Sequence, residues 1–178
     1  MFLMILSTMA FGVKLAMEPQ NKVHIGASVI GGSYGGTIGL DSRLTQLIYV
    51  DIGGFASFNT IETPVFDKDK PKEWIIPRHG IYTMPGWRIP HRYNENSINW
   101  DLFIRMGFGC VFAEDLSTED INYIDPALLA GTDFLLRYKD AGLKFTLKEM
   151  YFKPYVFELR EEVVFFQPHF TAEVFVQF

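Results

Sequence analysis

The chain has 178 residues, with 16 Lys and Arg against 21 Asp and Glu, a formal charge of −5, and 48% hydrophobic and 16% aromatic residues. Such apolar and aromatic content excludes a disordered tail, and the lone Cys110 excludes an internal disulfide or a CxxC metal scaffold. Basic residues are scattered singly, so nucleic acid is excluded as the main partner, and the length fits one domain.

The first residues form an apolar run without a basic segment before it. Thr8 and Ala10, or Ala10 and Gly12, are spaced like the small residues of a signal-peptidase site, so residues 1–7 read as an export-signal remnant or N-terminal extension. The competing reading starts a strand at Thr8, because Phe11, Val13, Leu15 and Met17 alternate with Gly12, Lys14, Ala16 and Glu18. No apolar run reaches the length of a membrane helix. Strands that cross a bilayer need only about 9–11 residues with every second one apolar.

Period-two alternation then runs through the chain and predicts eight strands, over residues 8–18, 22–40, 44–58, 80–91, 98–112, 128–139, 143–157 and 160–178. The run 98–112 is the clearest: Ile98, Trp100, Leu102, Ile104, Met106, Phe108, Cys110 and Phe112 share one face. Asn99, Asp101, Phe103, Arg105, Gly107, Gly109 and Val111 share the other. Fully extended it is about 50 Å long, well beyond the usual strand of a soluble protein. Met150 and Phe152 reverse the phase set by Leu143, Phe145 and Leu147, which predicts a bulge near Lys148 or Glu149. Pro85 and Pro90 count against a strand at 80–91, and Pro168 calls for a bulge or a place at the rim.

Short connections near 41–43, 93–96 and 140–142 largely alternate with long ones at 59–79 and 114–126, while the first and last outer connections, near 19–21 and 158–159, are brief. Together with the amphipathic strands and an alternating last strand ending in Phe178, this pattern resembles the small Gram-negative outer-membrane β-barrel class, across residues 8–178. The resemblance implies an all-β, antiparallel up-and-down transmembrane barrel of eight strands in the outer membrane of a Gram-negative bacterium. It also implies contact with outer-membrane lipids and a Phe178 signal read by the barrel-assembly machinery; the role expected of such a barrel is structural or interaction, with external loops near 59–79 and 114–126 meeting a cell-envelope protein or the surroundings.

In such a barrel the polar faces point inward. Lys14, Asp51, Asp101, Arg105, Asp133, Arg137, Lys139, Lys144, Lys148 and Glu173 are then expected to form an interior ionic network, since eight strands leave a lumen just wide enough for side chains. A second reading is a lipid hydrolase or acyltransferase at the rim, drawn from His24 with Ser28 and from His169, Thr171 and Glu173, although residues two apart on a strand sit about 6.6 Å apart. A third is a soluble lipocalin-like carrier, which requires the apolar faces to line a cavity. Trp74 and Trp87 are the expected loop-interaction residues. The glycine run 31–39 lacks a P-loop lysine and a following helix, and no His or Cys spacing fixes a metal, so no metal site or cofactor is expected.

Overall fold

The computed structural model describes residues 21–30, 33–60, 75–89, 97–115, 122–152, 155–156, 161–162 and 165–178. The expected strand 8–18, the segment 1–7, Lys14, Trp74 and most of both long connections lie outside the described residues.

The elements are β1 Asn21–Ile30, β2 Ser33–Arg43, β3 Ile48–Thr60, β4 Ile75–Ile89, β5 Asn99–Asp115, β6 Asn122–Tyr138, β7 Ala141–Phe152, β8 Tyr155–Val156, β9 Glu161–Glu162 and β10 Phe165–Gln177. Eight of them close into an antiparallel barrel in the order β1-β10-β7-β6-β5-β4-β3-β2, while β8 and β9 pair as a separate two-stranded sheet. The ring is sealed where the first and last described strands meet. Asn21 N donates to Phe178 O at 3.1 Å and Phe178 N donates to Asn21 O at 3.0 Å.

The expected strand 22–40 is two strands. Ile30 and Ser33 lie opposite each other, and the register continues to Asn21 opposite Ser42. Inward positions change from even numbers in β1 to odd numbers in β2, as a two-residue connection demands. Proline is accommodated without breaking the barrel. In β4 the partners Thr83–Phe108 and Gly86–Arg105 stay in step across Pro85, and there the Arg105 guanidinium donates to the Met84 carbonyl at 3.2 Å. Pro168 pairs with Glu149 in regular register and lies beyond the last β1 partner, Ile30 opposite His169, so its missing N–H leaves no gap in that ladder.

The expected bulge near Lys148 is absent. The even residues of β7 stay inside from Lys144 to Phe152, and the pairing with β6 runs unbroken from Ala127–Phe152 to Tyr138–Ala141. What changes is the lumen. Ile30, Phe55, Met84, Val111, Ala127, Leu129, Met150 and Phe152 form an apolar cluster toward one end of the barrel, so inward side chains there are apolar too.

The strands are strongly staggered. Stepping from partner to partner from Ile30 leads through His169, Lys148, Gly131, Arg105, Gly86 and Tyr49 to Arg43, which lies one residue past Ser42, the partner of Asn21 at the far end of β1. A tilted barrel has this property, and it brings residues from different levels of different strands into contact.

Glycines on inner faces make room for large groups opposite them. A Cβ on Gly39 would lie 2.4 Å from the His24 ring, and one on Gly80 would lie 2.4 Å from the Phe55 ring. We therefore expect Gly39→Ala to displace His24 and cost about 1–3 kcal/mol, measured as a lower denaturant midpoint of the refolded barrel. An unchanged midpoint would show that the ring has free space.

Candidate functional site

The barrel is apolar outside and charged inside. Met106 is 72% exposed and Phe108 64%, whereas Arg105 between such neighbours is 2% exposed. Trp100, Ile104, Ile81, Leu128, Phe145, Phe170 and Val174 continue the outer wall around the sheet. Polar backbone groups are used up in the closed ladders. A surface of this kind is matched to hydrocarbon, and the geometry is that of a membrane-spanning barrel. It is the reverse of a soluble carrier, whose apolar faces line its cavity.

Inside, a chain of ion pairs crosses the lumen. Lys22 Nζ on β1 lies 3.4 Å from Asp41 Oδ2 on β2, and the same oxygen accepts from Arg105 Nη2 on β5 at 2.9 Å. Arg105 Nε also bonds Asp133 on β6. Lys144 Nζ on β7 stands 2.7 Å from Asp51 on β3, 3.7 Å from Asp133 and 3.5 Å from Glu173 on β10. His24 completes the circuit, with Nε2 at 2.9 Å from Asp51 and Nδ1 at 3.2 Å from Glu173. With the Arg105 bond to Met84 O, this network touches every barrel strand.

A second group lies nearer the end that carries Asn21 and Phe178. Arg88 Nε donates to Asp101 at 2.6 Å, Arg137 Nη2 stands 3.6 Å from Asp101, and Arg137 Nη1 donates to Gln177 at 3.1 Å. Tyr49 and Phe103 pack edge-to-face with centroids 5.2 Å apart, and Lys22 Nζ sits 4.4 Å above the Tyr49 ring.

Asp51, Asp101, Arg105, Asp133, Arg137, Lys144, Lys148 and Glu173 are all buried inside. Lys139 is not. It sits exposed in the turn before β7 with φ 52°, a left-handed conformation set by the tight connection, and its carbonyl accepts from Gln177 Nε2 at 3.0 Å. Trp87 also departs from expectation. It stands in β4 on the outer wall, opposite Ile48 and Ile104, and not in a loop.

His24, Ser28, His169, Thr171 and Glu173 do share the lumen, but not as a catalytic set. Both His24 ring nitrogens face carboxylates, while the Ser28 and Thr171 hydroxyls and both His169 nitrogens have no hydrogen-bond partner. All five are sealed in the interior, away from the rim where a lipid substrate would arrive. Sequence reasoning missed Lys22, Asp41 and Arg88 as members of the network. Alternation carried the signal for Lys22, which shares the His24 face; the other two fell in segments read as a turn and a proline-broken strand.

No protein-family model and no curated protein matches the sequence. Solved structures do. The chain is similar to the N-terminal β-barrel domain of Pseudomonas aeruginosa OprF, with a TM-score of 0.57 at 11% identity over 90% of this chain and 100% of that one. It is also similar to Neisserial surface protein A, NspA, with a TM-score of 0.51 at 13% identity over 89% of this chain and 97% of that one. The shared property is the closed eight-stranded fold.

Two measurements follow from this geometry. Ile104→Arg is expected to cost about 2–4 kcal/mol if the site sits at mid-bilayer, read as a lower unfolding midpoint in lipid vesicles, because the charge meets hydrocarbon. Lys144→Met leaves Asp51, Asp133 and Glu173 short of a cation and should cost about 3–5 kcal/mol in the same assay. A loss below about 1 kcal/mol would mean that these carboxylates are satisfied without Lys144.

Proposed function

We propose that the chain is a structural or interaction barrel in the outer membrane of a Gram-negative bacterium, holding external connections toward another envelope component. The observation that carries the reading is the exchange of faces, with hydrocarbon-like side chains outside and paired charges inside. The filled lumen supports a scaffold over an open pore: Arg88, Arg105, Arg137, Lys144 and Lys148 are all fully buried.

Connection lengths support the orientation. At the end with Asn21 and Phe178 the links are residues 44–47, 90–98 and 139–140, and at the other they are 31–32, 61–74, 116–121 and the stretch 153–164 that includes β8 and β9. Outer-membrane barrels keep short turns on the periplasmic side and longer loops outside. By resemblance, Phe178 and the alternating residues before it serve as the signal for the barrel-assembly machinery.

Replacing residues 61–74 with a short Asn-Gly turn should leave heat-dependent electrophoretic mobility intact and abolish cross-linking to the envelope partner on whole cells. Retained cross-linking with that variant, and with a matching replacement of 116–121, would reject the interaction role. Residue-specific lipid labelling at Trp100, Ile104 and Phe108 tests the location separately, and protection of all three would reject the membrane assignment.

A further inference from the structure

Between the ion-pair network and the apolar cluster lies a set of buried polar groups, most of them without a hydrogen-bond partner among the described residues. Ser28 on β1 is opposite Thr171 on β10, which is opposite Thr146 on β7. The three hydroxyls therefore sit side by side on one inward row, and each lacks a hydrogen-bond partner. One step further along the same faces, His169 is opposite Lys148. Neither His169 nitrogen has a partner, and its ring packs edge-on against Phe55 at 5.2 Å. The Lys148 ammonium lies 3.7 Å above the Tyr82 ring, and the Tyr82 hydroxyl is also without a partner.

All six side chains are at least nine-tenths buried, with exposures of 0–5%. Buried hydrogen-bonding groups left unpaired by protein are satisfied by water or a ligand. The chemistry of the ring decides what kind. Lys148 offers three donors and no acceptor, the hydroxyls and the histidine each offer one more, and Lys148 has no ion pair among the described residues. Two carboxylates border it: Asp133, opposite Thr146, bonds Arg105 and lies 3.7 Å from Lys144 Nζ, and Glu173, two residues beyond Thr171, lies 3.5 Å from the same ammonium. A lysine ammonium that sits over an aromatic face among neutral donors, while the bordering carboxylates meet other cations, selects a small negative guest.

We propose that this ring is a binding site for a small monovalent inorganic anion of halide size, held by Lys148 with the Ser28, Thr146 and Thr171 hydroxyls and His169. The apolar cluster closes the lumen on one side and the ion pairs on the other. The anion is thus taken up as the barrel folds, exchanges slowly, and adds to the stability of the closed ring. This reading does not depend on the role proposed for the external connections.

The test uses the full chain refolded in bromide. Crystals should show an anomalous bromide peak within hydrogen-bond distance of Lys148 Nζ and at least one of the three hydroxyls. Unfolding midpoints should be higher after refolding in chloride or bromide than in gluconate at equal ionic strength. Lys148→Met should remove the peak and the halide dependence, raising the dissociation constant about tenfold or more, as expected for loss of a charged hydrogen bond. Should Lys148→Met not fold, Thr146→Val with Thr171→Val keeps the charge and shape and should weaken halide dependence in the same direction. Water alone at the ring, bromide only at the protein surface, or equal midpoints in all three anions would overturn the proposal.

Discussion

Everything in this barrel follows from the need to pair backbone N–H and C=O groups away from water. In hydrocarbon an unpaired group costs several kcal/mol, and a sheet escapes that cost only by having no edge. The seam between Asn21 and Phe178, continuing through Lys22–Gln177 to Ile30–His169, removes the last edge. Once the sheet is closed, its two faces have separate solvents. Period-two alternation then sorts side chains between lipid and lumen with no further instruction.

The lumen has its own constraint, because charges inside a narrow tube are shielded from water on all sides. Such pairs gain little net stability over well-packed apolar groups, yet removing one partner is costly. Arg105 meets two carboxylates and Lys144 three, with Asp133 shared between them. The stagger of the strands makes those meetings possible: Arg105 and Asp41 are far apart in sequence and on strands that do not pair. Shape matters equally. Gly39 and Gly86 lack side chains where the His24 ring and the Arg105 stem need the space.

The closed antiparallel architecture was legible because alternation is a local signal. Ile98 to Phe112 carries it without interruption, and the facing read from that pattern matches the burial of Asp101, Arg105 and Phe103. The boundary between β1 and β2 was not legible as a turn, since its glycines also suit a curved strand; only the change of inward phase from Ile30 to Ser33 marks it. Met150 and Phe152 misled for a different reason. Apolar residues were equated with the outer wall, but the lumen is itself apolar at that level. Which carboxylate meets which cation depends on register and stagger around the whole ring. Long-range geometry of that sort leaves no trace in spacing along one strand.

The seam between the first and last described strands also fixes an order of events. Neighbouring hairpins such as β6 with β7 form from residues close in the chain, whereas β1 must wait for β10, the contact with the greatest loop to close. Until β10 docks, both rims of the open sheet carry unpaired backbone groups and are sticky. Engagement of β10 with β1 works as a zip fastener that turns an open sheet into a tube.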